Sequence, residues 1–422
     1  MFLHARLAGI GCGGVRVRRL GGNRAGEIRL TRFLRNPAVT QSEMLATAGE
    51  RTGERVQGLH VLAIQDTSDV RVTSNGTGIV IHPTIAVEAY SGALLGLVHA
   101  ELLGRPGGGK PRASGRAFTD KQSSRWVRGA TQAARLKDQG AATVTVIADR
   151  EADFYEDFAL RPDGVEVLIR VAQDRNLADG TKLLESLEGV AEAGRMIVPL
   201  PAVPGRRARD ATVALRFRSV EISQPAGRNR PRAERESLPA SVSLTLVEAR
   251  EIDPPAGQPP AHWRLLTTHN VDNGEDARRI VGYYRRRWTI EQLFRTLKTK
   301  GFDVEALRIA EGPFEKLVVA SLIAAVTVLQ LVHDRDGSIG RPVTDALEAE
   351  DQPVLEAVSA SLEGKTDRQK NPHPKGSLAF ASWVFARLGG WTGYYGKPGP
   401  IVILNGMTQF HAIKHGWKLR DV

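Results

Sequence analysis

Cysteine is almost missing from this chain: Cys12 is the only one in 422 residues. A disulfide framework and a cysteine-built zinc site are therefore excluded. The ten histidines fall at no metal-ligand spacing. Long apolar runs are scarce as well. The longest, 317–332, is interrupted by Ser321, Thr327 and Gln330 and is short for a membrane span, so it reads as a buried core helix. His4, Arg6 and several glycines break up the N-terminal residues, which argues against a signal peptide. A phosphate loop is absent too. Gly364-Lys365-Thr366 resembles the end of one, but Ser359 stands where the motif requires its first glycine. No internal repeat is visible. These absences leave a cytoplasmic, bacterial protein as the expectation.

What is abundant is positive charge. The chain has 58 Lys and Arg against 47 Asp and Glu, a net charge of +11, with an isoelectric point near 9.9. Such a balance favours a polyanionic partner, either nucleic acid or an acidic membrane surface. With 41% hydrophobic and 25% charged residues, the composition is that of an ordinary globular protein. The length accommodates two or three domains.

The pattern along the chain is α/β. Residues 1–30 are rich in Gly and Arg with little periodicity and read as poorly ordered. A short helix follows over 32–48, broken at Asn36-Pro37 and carrying Arg29, Arg32 and Arg35 at or near its start. Apolar strands are expected at 58–67, 78–82, 85–89 and 92–100, then a flexible Gly/Pro/Lys/Arg loop at 105–115 and a helix at 121–137. A strand at 143–149, helical residues at 152–160 and a strand at 165–171 complete a mixed-sheet layout. From 172 to 262 proline and arginine become dense, and alternating strands at 212–218 and 241–248 mark a β-rich insertion. The strand 263–268 returns to the apolar pattern. A core helix near 313–334 and a mostly helical tail over 336–422 follow.

One stretch concentrates the charge. Residues 283–298 hold Arg285, Arg286, Arg287, Arg295 and Lys298 against the single acid Glu291, together with Tyr283, Tyr284 and Trp288. It reads as one helix, opened by a capping box at Asp272 and Glu275. At roughly 100° per residue, Tyr284, Arg287, Glu291 and Lys298 fall within about 60° of one another. That face is either a solvated basic stripe with i, i+4 pairs such as Arg287–Glu291, or a carboxylate set among phosphate-binding groups.

Two further carboxylates bear on that choice. Asp66 ends one apolar strand and Asp149 ends another. A strand-end Asp alone is an ordinary turn residue. Two of them with a Glu on a basic aromatic helix make a set of hard oxygen ligands suited to Mg²⁺. Two such ions activate a water or a 3′-hydroxyl and stabilise the leaving oxygen of a phosphodiester. Glu151 and Asp153 read either as supporting groups or as acids favoured at a helix N-terminus. His82 and His99 read as strand or core residues.

Gln65-Asp66-Thr67, Asp149-Arg150-Glu151-Ala152-Asp153 and the Tyr-x₂-Arg-x₃-Glu-x₆-Lys spacing at Tyr284, Arg287, Glu291 and Lys298 resemble the DDE transposases of the insertion-sequence-four family. The likeness runs over about 31–422, including Arg32-Phe33-Leu34-Arg35-Asn36-Pro37 and Gly389-Gly390-Trp391. It implies an RNase H-like α/β core interrupted by a β-strand-rich insertion, with helical N- and C-terminal segments. It implies Asp66, Asp149 and Glu291 as the catalytic, metal-binding triad of a two-metal Mg²⁺ site in which Mn²⁺ can substitute. Tyr284, Arg287 and Lys298 would grip DNA phosphates. Trp263 would stack in place of a flipped base, against the alternative that it packs the sheet.

The implied layout has five parts. They are a DNA-contact segment at 1–54, truncated or partly disordered; core at 55–171; insertion at 172–262; core with the Glu helix at 263–335; and a dimerisation region at 336–422. The N-terminus departs from the family, whose members carry a longer helical end-binding domain. The implied reaction is metal-dependent cut-and-paste transposition: end nicking, hairpin formation and opening, and strand transfer. Its partners are double-stranded DNA, as terminal inverted repeats and target, and a second copy in a synaptic complex near the nucleoid. Two alternatives stay open: a metal-dependent DNA nuclease, and a catalytically impaired, transposase-derived DNA-binding protein or inhibitor.

Overall fold

The computed structural model describes residue 7 and residues 15–72, 78–105, 118–202, 207–226, 231–298, 301–307, 311–394 and 396–419. The loop expected at 105–115 lies outside the described residues beyond its first position, as does Cys12. In chain order the elements are α1 (Val17–Gly21), α2 (Arg24–Arg35), α3 (Gln41–Gly53), β1 (His60–Gln65), β2 (Ser68–Val72), β3 (Gly78–Glu88) and β4 (Leu94–Arg105). Then come α4 (Ser124–Asp138), β5 (Thr143–Ala148), α5 (Tyr155–Ala159), β6 (Val165–Arg170), β7 (Gly194–Leu200), β8 (Arg209–Ser223), α6 (Arg232–Ser237), β9 (Ser241–Glu251) and β10 (His262–Thr267). The last group is α7 (Gly274–Arg285), α8 (Trp288–Lys298), α9 (Glu311–His333), α10 (Gln352–Leu362), α11 (Leu378–Leu388) and α12 (Pro400–Leu419). Contacts divide the chain into two units. The first holds Met1–Gln57, Thr67–Gly108 and Trp288–Val422; the second holds Gly58–Asp66 and Gly109–Arg287.

In the second unit β1, β5 and β6 run parallel, and β10 continues antiparallel from β6. The insertion strands β9, β8 and β7 then extend the same sheet, each antiparallel to the last. α4 lies on β1 and β5 and buries Trp126, Ala130, Ala133 and Leu136, residues on the inner face of its 3.6-residue period. α7 packs on β7, β8 and β9. This mixed, helix-flanked sheet is consistent with an RNase H-like core.

The first unit pairs β2, β3 and β4 as an antiparallel meander. The segments expected as two strands at 78–82 and 85–89 form one strand, β3, with register shifts at Thr84/Ile85 and Ala86/Val87. α9 is the core helix, packed against β4, α2, α3, α8, α11 and α12. It is the one described helix long and apolar enough to cross a membrane, and 83% of its apolar window is buried inside the protein. The polar residues that interrupt it find hydrogen-bond partners, within the helix or on a neighbouring strand. Ser321 Oγ donates to Leu317 O at 2.8 Å, and Gln330 Nε2 donates to Leu95 O at 3.0 Å.

Two expectations are corrected here. Order begins earlier than the Gly/Arg-rich texture implies, since α1 and α2 form a helix pair in mutual contact from residue 17. The glycines serve close approach: a Cβ on Gly26 would sit 2.0 Å from the Gly21 carbonyl oxygen. The basic stretch is not one helix. α7 is capped by Asn273, whose side chain accepts from the Glu275 and Asp276 N–H groups, rather than by Asp272. It ends at Arg285. Arg286 N and Arg287 N then bond back to Tyr283 O and Tyr284 O, each at 3.0 Å. These tight i→i−3 bonds close the helix, and α8 restarts at Trp288. The face shared by Tyr284, Arg287, Glu291 and Lys298 therefore does not follow from one continuous helix.

Candidate active site

The second unit sets three polar residues in a row. In the parallel pairing of β1 and β5, Ile64 is opposite Ile147, so the register carries Asp66 to a place beside Asp149, one residue past each strand. Between β5 and β6, Ala148 is opposite Ile169, which carries Asp149 beside Arg170. Neighbouring strands lie about 4.8 Å apart. Two carboxylates and a guanidinium thus begin from adjacent backbones at the carboxyl end of a parallel sheet, where open α/β sheets bind their ligands.

Each group in that row is held. Asp149 caps the turn Arg150–Ala152, its Oδ1 accepting from Glu151 N at 2.8 Å. Arg287 Nη1 donates to Asp66 Oδ2 at 2.6 Å. The two side chains are only 16% and 14% exposed, so this ion pair is poorly screened. Tyr284 is buried at the end of α7. Burial raises its hydroxyl pKa above the usual tyrosine value, and Arg287 and Arg170 oppose the rise, Arg170 in part through a hydrogen bond to the hydroxyl; Asp149 adds to the rise. Tyr284 therefore ties α7 to Arg170 at the end of β6, and Arg287 ties the following turn to Asp66. Arg170 was not singled out from the sequence. Its signal was available: a third apolar strand ending on a charged residue, like those ending before Asp66 and Asp149.

Other expected residues fall elsewhere. Glu291 lies in the first turn of α8 and Lys298 in its last, both in the first unit. Lys298 Nζ pairs with Glu305 at 3.0 Å. Trp288 opens α8, 38% exposed, with the Arg295 guanidinium 5.0 Å from its ring centre. Trp263 is half-buried on β10, opposite Ala249. Glu151 pairs with Arg125 at 2.9 Å and stays 63% exposed. Asp153 is a buried loop anchor. It accepts from Ala172 N at 2.6 Å and Gln173 N at 2.9 Å, and it binds Arg175. His82 is a buried strand residue whose Nδ1 meets Thr67 Oγ1 at 2.9 Å.

The donor chemistry fits a hard divalent cation as far as the strand-end pair. Asp66 and Asp149 offer carboxylates from the ends of adjacent strands, and a cationic group, Arg287, already sits on one of them. Among the described residues, no three His, Cys, Asp or Glu side chains gather into a metal cage.

A parallel sheet with carboxylates at two adjacent strand ends offers oxygen ligands of the kind that metal-dependent phosphoryl transfer uses. The comparison with known proteins sharpens this. Residues 125–327 match the family model described as the transposase DDE domain. This stretch is thus similar to a transposase DDE domain, which supports a DDE transposase. Asp149 and Glu291 lie inside the matched residues and Asp66 lies before them.

Proposed function

We propose that this protein is a cut-and-paste transposase of the insertion-sequence-four type. The observation that carries the reading is the register that sets Asp66 beside Asp149, in a chain similar over 125–327 to a transposase DDE domain. Glu291 supplies the third carboxylate. Mg²⁺, or Mn²⁺ in its place, held by Asp66, Asp149 and Glu291 would activate the attacking hydroxyl and offset charge on the leaving oxygen.

The chain's own residues do the positioning. Arg287 orients Asp66 through its hydrogen bond. Tyr284 and Arg170 support each other at the end of β6. Arg287 and Lys298 neutralise phosphates of the strand being cut, and Trp263 offers a ring for an unstacked base. Water attack at the element end breaks one P–O bond and forms another, freeing a 3′-hydroxyl. That hydroxyl then attacks the opposite strand, closing a hairpin that water reopens. The same hydroxyl later joins target DNA. Every nucleophile is water or a 3′-hydroxyl, so no covalent protein–DNA link forms. The protein acts in the cytoplasm at the nucleoid, on terminal inverted repeats and target duplex, as a dimer assembled through 336–422.

The test uses duplexes carrying the element's terminal repeats, with and without Mg²⁺, and pre-cut ends for strand transfer. Metal-dependent nicking with joining is expected. Cleavage without joining would assign a nuclease. Binding without cleavage would assign a transposase-derived DNA-binding protein or inhibitor.

A further inference from the structure

The insertion strands have two unlike faces. β8 buries Ala211, Val213 and Leu215 and exposes Thr212, Arg216 and Arg218. α7 packs on β7, β8 and β9, so it covers the buried face, the side reached from Leu265 opposite Arg170. The other face carries arginine on every strand. The register places Arg195 of β7 opposite Ala214, which is opposite Arg250 of β9. Arg216 is opposite Glu248, which is opposite Arg264 of β10. The segment 176–187 closes over the far part of this face, where Leu177 bridges to Ile222 and the Ser186 carbonyl accepts from Arg218.

The charges on this face do not cancel. Glu248 is its one central acid. It is buried and already held by His262 and Arg264 at 2.7 and 3.2 Å, which keep its pKa below the ordinary glutamate value. Arg195 is paired with Glu192 at 2.6 Å, and Arg218 donates to the Ser186 carbonyl. Arg216 and Arg250 are exposed and make no salt bridge among the described residues. Arg216 and Arg218 stand two residues apart on one strand, about 6.7 Å. Arg250 lies on the diagonal from Arg216, about 7–8 Å away. That spacing lets each guanidinium meet a separate phosphate on a duplex strand carrying one charge per about 3.4 Å.

We propose that this arginine face of the insertion sheet is a second binding surface for the backbone of duplex DNA, on the side of the sheet away from α7. The proposal rests on the transposase reading, which makes duplex DNA the polyanion present. Contacts to phosphates alone carry no sequence information, so the surface holds any duplex and suits target DNA rather than a defined end.

The test measures binding of the full-length protein to an arbitrary duplex of about 30 base pairs by fluorescence anisotropy, from about 50 to 200 mM KCl. The triple substitution Arg216→Gln, Arg218→Gln and Arg250→Gln is expected to flatten the log–log salt slope by about 2–3 and to weaken binding about tenfold or more at the middle of that range. The loss is expected to be equal for terminal-repeat and unrelated duplexes. The matching triple Arg→Lys variant is expected to keep the slope. In the unsubstituted protein, duplex is expected to protect Arg216 and Arg250 from an arginine-specific reagent, read by mass spectrometry; this arm needs no variant to fold. An unchanged slope in the Gln variant, or equal modification with and without duplex, overturns the proposal while leaving the transposase reading intact. Failure of the unsubstituted protein to bind any duplex removes both.

Discussion

The Asp66–Arg287 contact joins the end of β1 to the turn after α7, and its worth can be worked out. Charge centres about 4 Å apart at an effective dielectric near 20 attract by about 4 kcal/mol. Ordering the arginine side chain offsets up to about 2 kcal/mol of that, and partial desolvation removes more. With side chains 16% and 14% exposed, screening is incomplete, so a net coupling of about 1–2 kcal/mol remains. That exceeds a surface pair, at about 0–1 kcal/mol. A double-mutant cycle reads it: Arg287→Gln, Asp66→Asn and the pair together, followed by urea denaturation in EDTA. The coupling is expected to fall only modestly in about 1 M KCl, because partly buried pairs are screened much less than exposed ones. A coupling below about 0.3 kcal/mol, or one abolished by salt as for an exposed pair, would refute the claim that this pair fixes Asp66. Arg287→Gln also removes a cation from a proposed metal-binding carboxylate. Titration calorimetry should therefore show tighter Mg²⁺ binding, even as cleavage falls.

Other perturbations have equally definite outcomes. Glu291→Gln should abolish Mg²⁺-dependent nicking of terminal-repeat duplexes while their binding changes less than about threefold; retained nicking removes Glu291 from the triad. Gly406→Ala should destabilise the crossing of α11 and α12, because a Cβ at 406 would lie 1.7 Å from the Phe385 carbonyl oxygen. The cost is about 1–3 kcal/mol or more, read as a fall in Tm of several degrees. Burial, reinforced by Asp153 and Glu156, pushes Asp157 up from 3.8 to about 8. The folded state then holds a proton that the unfolded chain releases, so this group's contribution is full below about pH 4 and is lost as pH rises towards 8. Asp157→Asn should raise Tm more at pH 8 than at pH 5; an equal shift at both would contradict the buried, protonated state.

Much of the candidate site was legible without coordinates. Apolar β-branched runs ending on Asp66 and Asp149 announced strands whose ends carry charge, because only apolar side chains suit a sheet covered on its faces. The apolarity of 317–332, broken only by Ser321, Thr327 and Gln330, announced the core helix, since burial on all sides removes any polar stripe. The dense arginine around Glu291 and the alternating strands of the insertion were visible as composition and period.

Other features depended on tertiary structure because they depend on partners distant in sequence. No Gly or Pro marks the break at Arg286–Arg287. The helix ends there through tight bonds to Tyr283 and Tyr284, and Arg287 turns to Asp66, some 220 positions earlier. Arg170 was one arginine among many until strand register set it beside Asp149. The N-terminal glycines suggested disorder, yet Gly21 and Gly26 permit two helices to touch. The sequence by itself determined the chemical groups and the strand ends that bear them. Tertiary structure decided which of those ends are neighbours, because register is set by pairing across the whole sheet rather than by any one strand.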